Sequence, residues 1–202
     1  MYFAHMPADS KGPQTTRRDE LIEIGARLFY EQGYASTGIK QIIDEAGIAK
    51  GTFYTHFKSK EELGVAWLKA RHTQWSSWFE AELKKCKSAA EKIQAAFGYL
   101  KQWLVESGFR GCAFLNTMAE TPSIENPMRS EVANHKRQLC ERFCQLVGEH
   151  LEEGVGDSGN EAQQKGRSIF LLFEGALVES QNFHETWPVD VARNEVERIL
   201  AV

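Results

Sequence analysis

Long hydrophobic runs are missing from this 202-residue chain. The longest, Ile169 to Phe173, falls far short of the roughly 20 apolar residues that cross a bilayer, so no membrane span is expected. With no leader pattern either, a cytoplasmic protein is expected. Proline is scarce at five residues, and strand-period alternation is nearly absent, which disfavours a sheet and leaves room for long helices. The four cysteines, Cys86, Cys112, Cys140 and Cys144, have no framework spacing and read as thiols of a reducing compartment. Strong charge of one sign is lacking too. A formal net charge of −4 removes a global basic field as an argument for nucleic acid, so only the distribution of charge can carry one.

What is present is the composition of a folded globular chain, 42% hydrophobic and 26% charged. Apolar residues recur at helical spacing, which predicts an all-α fold. The first helix is expected from about Thr16 to Gln32, with Leu21, Ile24, Leu28 and Phe29 on one stripe and Gly33 as its stop. A short helix follows from about Thr37 to Ala46, capped by Ser36 or Thr37, then Gly47 and a second short helix from about Ala49 to Thr55. Ser59 and Glu62 form a capping box for a long helix reaching about Lys85. Further helices are expected at about Ala89–Ser107, Cys112–Glu120, Pro127–Glu152, Glu161–His184 and Val189–Leu200, with breaks at Thr121-Pro122-Ser123 and Trp187-Pro188. The glycine-rich stretch from Glu153 to Asn160 follows no strand and reads as a linker rather than a phosphate loop. The opening Met-Tyr-Phe-Ala-His-Met reads as a tag remnant before a start at Met6, and residues 1–15 are expected to be disordered.

Two short helices around a tight glycine turn are the geometry that offers a second helix to the major groove. Ile39, Ile42 and Ile43 would face inward, Gly47 would make the turn, and Ile48 and Phe53 would plug the core. The outward set is then Lys50, Gly51, Thr52, Tyr54 and His56, in a segment where Lys40, Lys50, Lys58 and Lys60 face only Asp44 and Glu45. These side chains donate to phosphate oxygens and base edges.

Phe29-Tyr-Glu-Gln-Gly-Tyr, Thr37, Ile42-Ile-Asp-Glu-Ala-Gly-Ile and Lys50-Gly-Thr-Phe-Tyr-Thr-His-Phe-Lys-Ser-Lys-Glu-Glu-Leu together resemble the N-terminal signature of the TetR family of regulators. The resemblance implies an N-terminal three-helix DNA-binding domain over residues 16–62 and a larger helical ligand-sensing and dimerisation domain over 63–202. It also implies a homodimer on pseudo-palindromic double-stranded operator DNA, most simply a repressor released by a small molecule or by an oxidant or electrophile. By position, Thr37 would hold a phosphate, Lys50, Thr52 and Tyr54 would face the groove, and His56 and Lys60 would meet the DNA backbone. Gly38, at the first turn of the second helix, is a weak helix former within that pattern.

Chemistry thins toward the C-terminus. Aromatics are dense between Trp67 and Phe114, and most must be core. Trp103, Phe114, Phe143 and Phe173, with Asn116 and Glu120 as polar anchors, are the candidate effector-pocket residues. Phe170, Leu171, Phe173, Leu177 and Val178 offer an apolar surface for a dimer bundle or for an internal core. The segment from Gly111-Cys112 to Glu120 resembles a Gly-Cys segment in one branch of the same family, in which some members sense oxidants or electrophiles through the cysteine. Cys112 at a helix start is therefore the candidate redox sensor, against packing as a small buried residue. Cys140 and Cys144 share a helix with His135 and His150, but four ligands on one straight helix cannot converge, so core packing is the reading and no metal or cofactor is expected. No nucleophile–base pair or cofactor loop supports an enzyme.

Overall fold

The computed structural model describes residues 16–153 and 159–201, and among them the chain is helical throughout. Its helices are α1 (Arg17–Gln32), α2 (Ile39–Ala46), α3 (Lys50–His56), α4 (Lys60–Leu83), α5 (Ala89–Glu106), α6 (Ala113–Glu120), α7 (Pro127–Glu153), α8 (Gly159–Phe183) and α9 (Trp187–Ala201). The expected N-terminal disorder and most of the expected linker lie outside the described residues.

Local chemistry sets most boundaries. Thr16 and Asp19 close a reciprocal capping box on α1, and Ser88 and Glu91 do the same for α5. Ahead of α4 the Ser59 hydroxyl accepts from the Glu62 N–H at 3.2 Å, while the Glu62 carboxylate accepts from the Lys58 N–H at 2.7 Å rather than from Ser59. The cap of α2 differs from expectation. Gly38 occupies that position with no side-chain hydrogen bond, because Thr37 turns inward. Trp187-Pro188 also differs: it begins α9 instead of merely ending α8, since proline at the first turn has no N–H to leave unpaired.

Packing divides the chain into two compact units: one running to Thr73 and taking in Cys112–Asn134, the other formed by Gln74–Gly111 and His135 onward. The first unit closes around Leu21, Leu28, Phe29, Ile42, Phe53, Phe57, Leu63 and Leu68. In the second, α5 lies against α8 and α9, and α8 against α9. Ile93, Phe97, Leu100 and Leu104 make the buried stripe of α5. Phe97, Phe143 and Phe173 form a ring cluster, with centroids 5.4 Å apart for Phe97–Phe173 and Phe143–Phe173.

An ion network ties α4, α5 and α7 within this second unit. Arg142 donates to both Glu80 oxygens, at 2.8 and 3.2 Å, and to Glu149 at 3.3 Å, while Lys92 reaches Glu149 at 3.0 Å. Burial opposes ionisation of Glu149, but the Lys92 and Arg142 cations outweigh it and hold the carboxyl below the ordinary carboxylate range. The unfolded chain therefore takes up this proton first, so the stabilisation is present at neutral pH and lost as pH falls through the carboxylate range. Glu149→Gln is expected to shrink the drop in Tm between about pH 7 and about pH 4, read by thermal circular dichroism.

Candidate nucleic-acid interface

The helix-turn-helix is built from α2, α3 and the left-handed residue between them. Gly47, with φ 61° and ψ 35°, ends α2 by donating its N–H back to the last turn. Ile42 and Ile43 are buried from α2 and Phe53 from α3, with Ile48 half-buried between them. Phe57, fully buried after α3, lies under the Arg18 guanidinium at 4.8 Å, and Arg27 of α1 pairs with Glu45 of α2. With Phe53 and Phe57 committed inward, the outer face of α3 follows. Lys50, Gly51 and Tyr54 are exposed, and Thr52 and His56 are half-exposed. Tyr54 stands edge-on to Phe53 at 5.3 Å, and the Lys50 ammonium lies 5.9 Å from the Tyr54 ring centre. A large ring at 43% exposure, braced by a buried neighbour, is a preorganised surface for contact.

Two residues expected to contact DNA make hydrogen bonds within the chain. Thr37 is fully buried, and its hydroxyl donates to the Gly33 carbonyl at 2.8 Å. Lys60 donates to the carbonyls of Tyr34 and Thr37, at 2.9 and 3.1 Å, and sits 4.2 Å over the Tyr34 ring. Burial, opposed by Glu61 and Glu120, lowers the Lys60 pKa. Both side chains brace the α1–α2 turn, supplying donors to the carbonyls of the buried residues Gly33, Tyr34 and Thr37. The start of α2 keeps backbone N–H groups with no side-chain cap, and Lys40 beside them is exposed.

Glu120 also departs from its expected place as a pocket anchor. Its carboxylate accepts from the Ala35 N–H at 2.6 Å, in the same turn that Lys60 braces. Gly33, with φ +98°, makes room for it: a Cβ there would lie 3.0 Å from a Glu120 oxygen. No sequence signal announces this pair, since the partners are 85 positions apart. Glu120→Ala is expected to cost about 1–2 kcal/mol, seen as a lowered denaturation midpoint with an unchanged slope.

Of the other expected pocket residues, Phe114 is buried and Asn116 half-buried on α6 in the first unit, whereas Trp103, Phe143 and Phe173 are buried in the second. Trp103 Nε1 and Ser180 Oγ are buried there without a hydrogen-bond partner among the described residues. Cys112 stands at the N-cap of α6 and is only 6% exposed, so its thiol is shielded. Of the expected dimer surface, Phe173 and Leu177 belong to the chain's own core, while Leu171 and Val178 are exposed, as are Trp187 and Val191 on α9.

Residues 21–66 match bacterial regulatory proteins of the tetR family, and residues 89–196 match the tetracyclin repressor-like C-terminal domain. The chain is 23% identical over 194 residues to the HTH-type transcriptional repressor NemR of Escherichia coli K12, covering 95% of this chain and 98% of that protein. The HTH-type transcriptional repressor KstR2 of Mycolicibacterium smegmatis is 41% identical over 58 residues, or 29% of this chain and 28% of that one. Among solved structures, a TetR-family transcriptional regulator from Streptomyces coelicolor superposes with a TM-score of 0.80 at 26% identity, covering 92% of this chain and 94% of that one. The reduced form of E. coli NemR superposes at 0.77 with 25% identity, covering 91% and 97%.

Proposed function

Because the chain belongs to the TetR family of bacterial regulatory proteins, we propose that it is a homodimeric repressor whose α3 reads an operator and whose second unit takes a small-molecule effector. The observation that carries the DNA reading is the outward set on α3, with Lys50, Thr52 and Tyr54 presented by a helix whose inner residues are locked. Lys50 meets a guanine or a phosphate, Tyr54 meets base edge or backbone, and His56 flanks them. The uncapped start of α2 supplies backbone donors to a phosphate, in the part first expected of Thr37.

Dimerisation is assigned to the exposed apolar side chains Leu171 and Val178 of α8 with Trp187 and Val191 of α9. A two-fold pair of α3 helices then suits two half-sites one helical turn apart, about 34–36 Å. The effector reading rests on the second unit's aromatic interior, where Trp103 and Ser180 each keep a buried polar group unused. An apolar ligand carrying a hydrogen-bond acceptor would satisfy the indole donor. Release through oxidation at Cys112 is the weaker alternative, because its thiol is shielded.

The test is fluorescence anisotropy against DNA from upstream of the gene, with scrambled DNA as control across a salt series. Sequence-dependent binding supports the reading, and sequence-blind binding with a steep salt slope overturns operator recognition there. Gly51 offers a finer check. It is exposed within α3, and a Cβ there meets nothing within 4 Å. Gly51→Ala is expected to stabilise the fold by about 0.5–1 kcal/mol while weakening operator binding, since the added methyl stands on the face that approaches DNA.

A further inference from the structure

A half-open groove of about 520 Å³ runs between α7 and α8 in the second unit, with Cys140 and Cys144 on one wall and Gln163, Arg167 and Phe170 on the other. The sequence reading placed both thiols in the core. Here Cys144 is buried, but Cys140 is half-exposed, and both line the groove. They stand one turn apart, a spacing that brings Cβ atoms within about 6 Å, and Cys140 acts on the Cys144 thiol electrostatically. Cys144 is also fixed in place. Its thiol donates to the Gln163 carbonyl at 3.8 Å, and α8 approaches so closely that a Cβ on Gly166 would lie 2.5 Å from Cys144 Cα. Arg137 and Arg167, both exposed, flank the thiols and make no ion pair among the described residues. Phe170 adds an apolar face.

We propose that this groove is a two-thiol site for a trivalent aryl-arsenical bearing an anionic ring substituent, with Cys140 and Cys144 as sulfur ligands. Phe170 takes the aryl ring, and Arg137 and Arg167 take the anion. The step is a condensation without redox. Two S–H bonds break, two As–S bonds form, and the arsenic-bound oxygen leaves as water with both protons, so arsenic stays trivalent. Neighbouring sulfurs on one wall suit pyramidal arsenic, whereas a two-coordinate soft metal ion prefers opposed sulfurs. Burial pushes the Cys144 thiol up, which disfavours reagents that need a standing thiolate and leaves the two-thiol condensation available.

The test uses the full chain, reduced, with phenylarsine oxide and para-carboxyphenylarsine oxide as probes. One equivalent is expected to protect two of the four thiols from a thiol-titrating reagent. Cys140→Ser and Cys144→Ser are each expected to weaken binding by about a hundredfold or more, the loss of two-point attachment. The Cys86→Ser/Cys112→Ser double variant is expected to bind as the parent does. Arg167→Gln should lower affinity for the carboxylated probe and leave the plain phenyl probe unchanged. Unchanged affinity in Cys140→Ser, whose half-exposed position makes it the variant least able to disturb the fold, overturns the proposal. So does loss of binding in a natively helical Cys86→Ser/Cys112→Ser variant, or equal response of both probes to Arg167→Gln. None of these readouts uses DNA, so they stand apart from the operator assay.

Discussion

Tyr54→Ala and Lys50→Ala are each expected to remove sequence-specific operator binding while leaving a folded dimer. The magnitude follows from what α3 presents. A base-directed contact discriminates by about 1–3 kcal/mol, a loss of roughly 5- to 150-fold for Lys50 alone and enough to bring specific binding near the sequence-blind background. Tyr54 adds contact area from a ring that Phe53 already holds in place, so little ordering is needed on binding. The fold should tolerate both changes, because the buried partners Phe53 and Phe57 stay untouched. Anisotropy on operator and scrambled DNA, paired with sedimentation of the free protein, checks both halves. Operator affinity within twofold of the parent in either variant removes that residue from the recognition surface.

Gly166→Ala is expected to be the most damaging single methyl in the second unit. The added Cβ would lie 2.5 Å from Cys144 Cα and 2.7 Å from its backbone nitrogen, and neither can rotate aside as a side chain can. Helices α7 and α8 must part, and overpacking of this kind costs about 1–3 kcal/mol or more. Urea denaturation should show the midpoint falling by that amount. Gly51→Ala, the same substitution where space is open, moves stability the other way and serves as the control. Equal stability of Gly166→Ala and the parent would show that the helices do not pass as closely as described.

The helices were readable because their signals are local. Leu21, Leu28 and Phe29 recur with helical period, Gly47 supplies a left-handed turn, and Phe53 against Tyr54 separates inner from outer face. The exposed face of α3 could be named for the same reason. Thr37 and Lys60 were expected at phosphates because their types suit phosphate as well as they suit buried carbonyls. Only the three-dimensional course of the α1–α2 turn shows Gly33, Tyr34 and Thr37 offering those carbonyls. Glu120 was hidden by sequence distance, and Phe173 and Leu177 by ambiguity, since an apolar helix face reads alike whether it packs within one chain or against a second.

The Glu120–Ala35 hydrogen bond bears on how this protein can be taken apart and recombined. A fragment ending near residue 62 or 73 would carry every side chain of the recognition surface, yet it would leave behind the carboxylate that holds the α1–α2 turn. The segment from Cys112 to Asn134, compact with that head, would also be lost. A DNA-reading head transplanted onto another sensor should therefore travel as two stretches of chain, with α6 included. Chimeras joined at a single point after the helix-turn-helix are expected to bind weakly even though their recognition helix is intact.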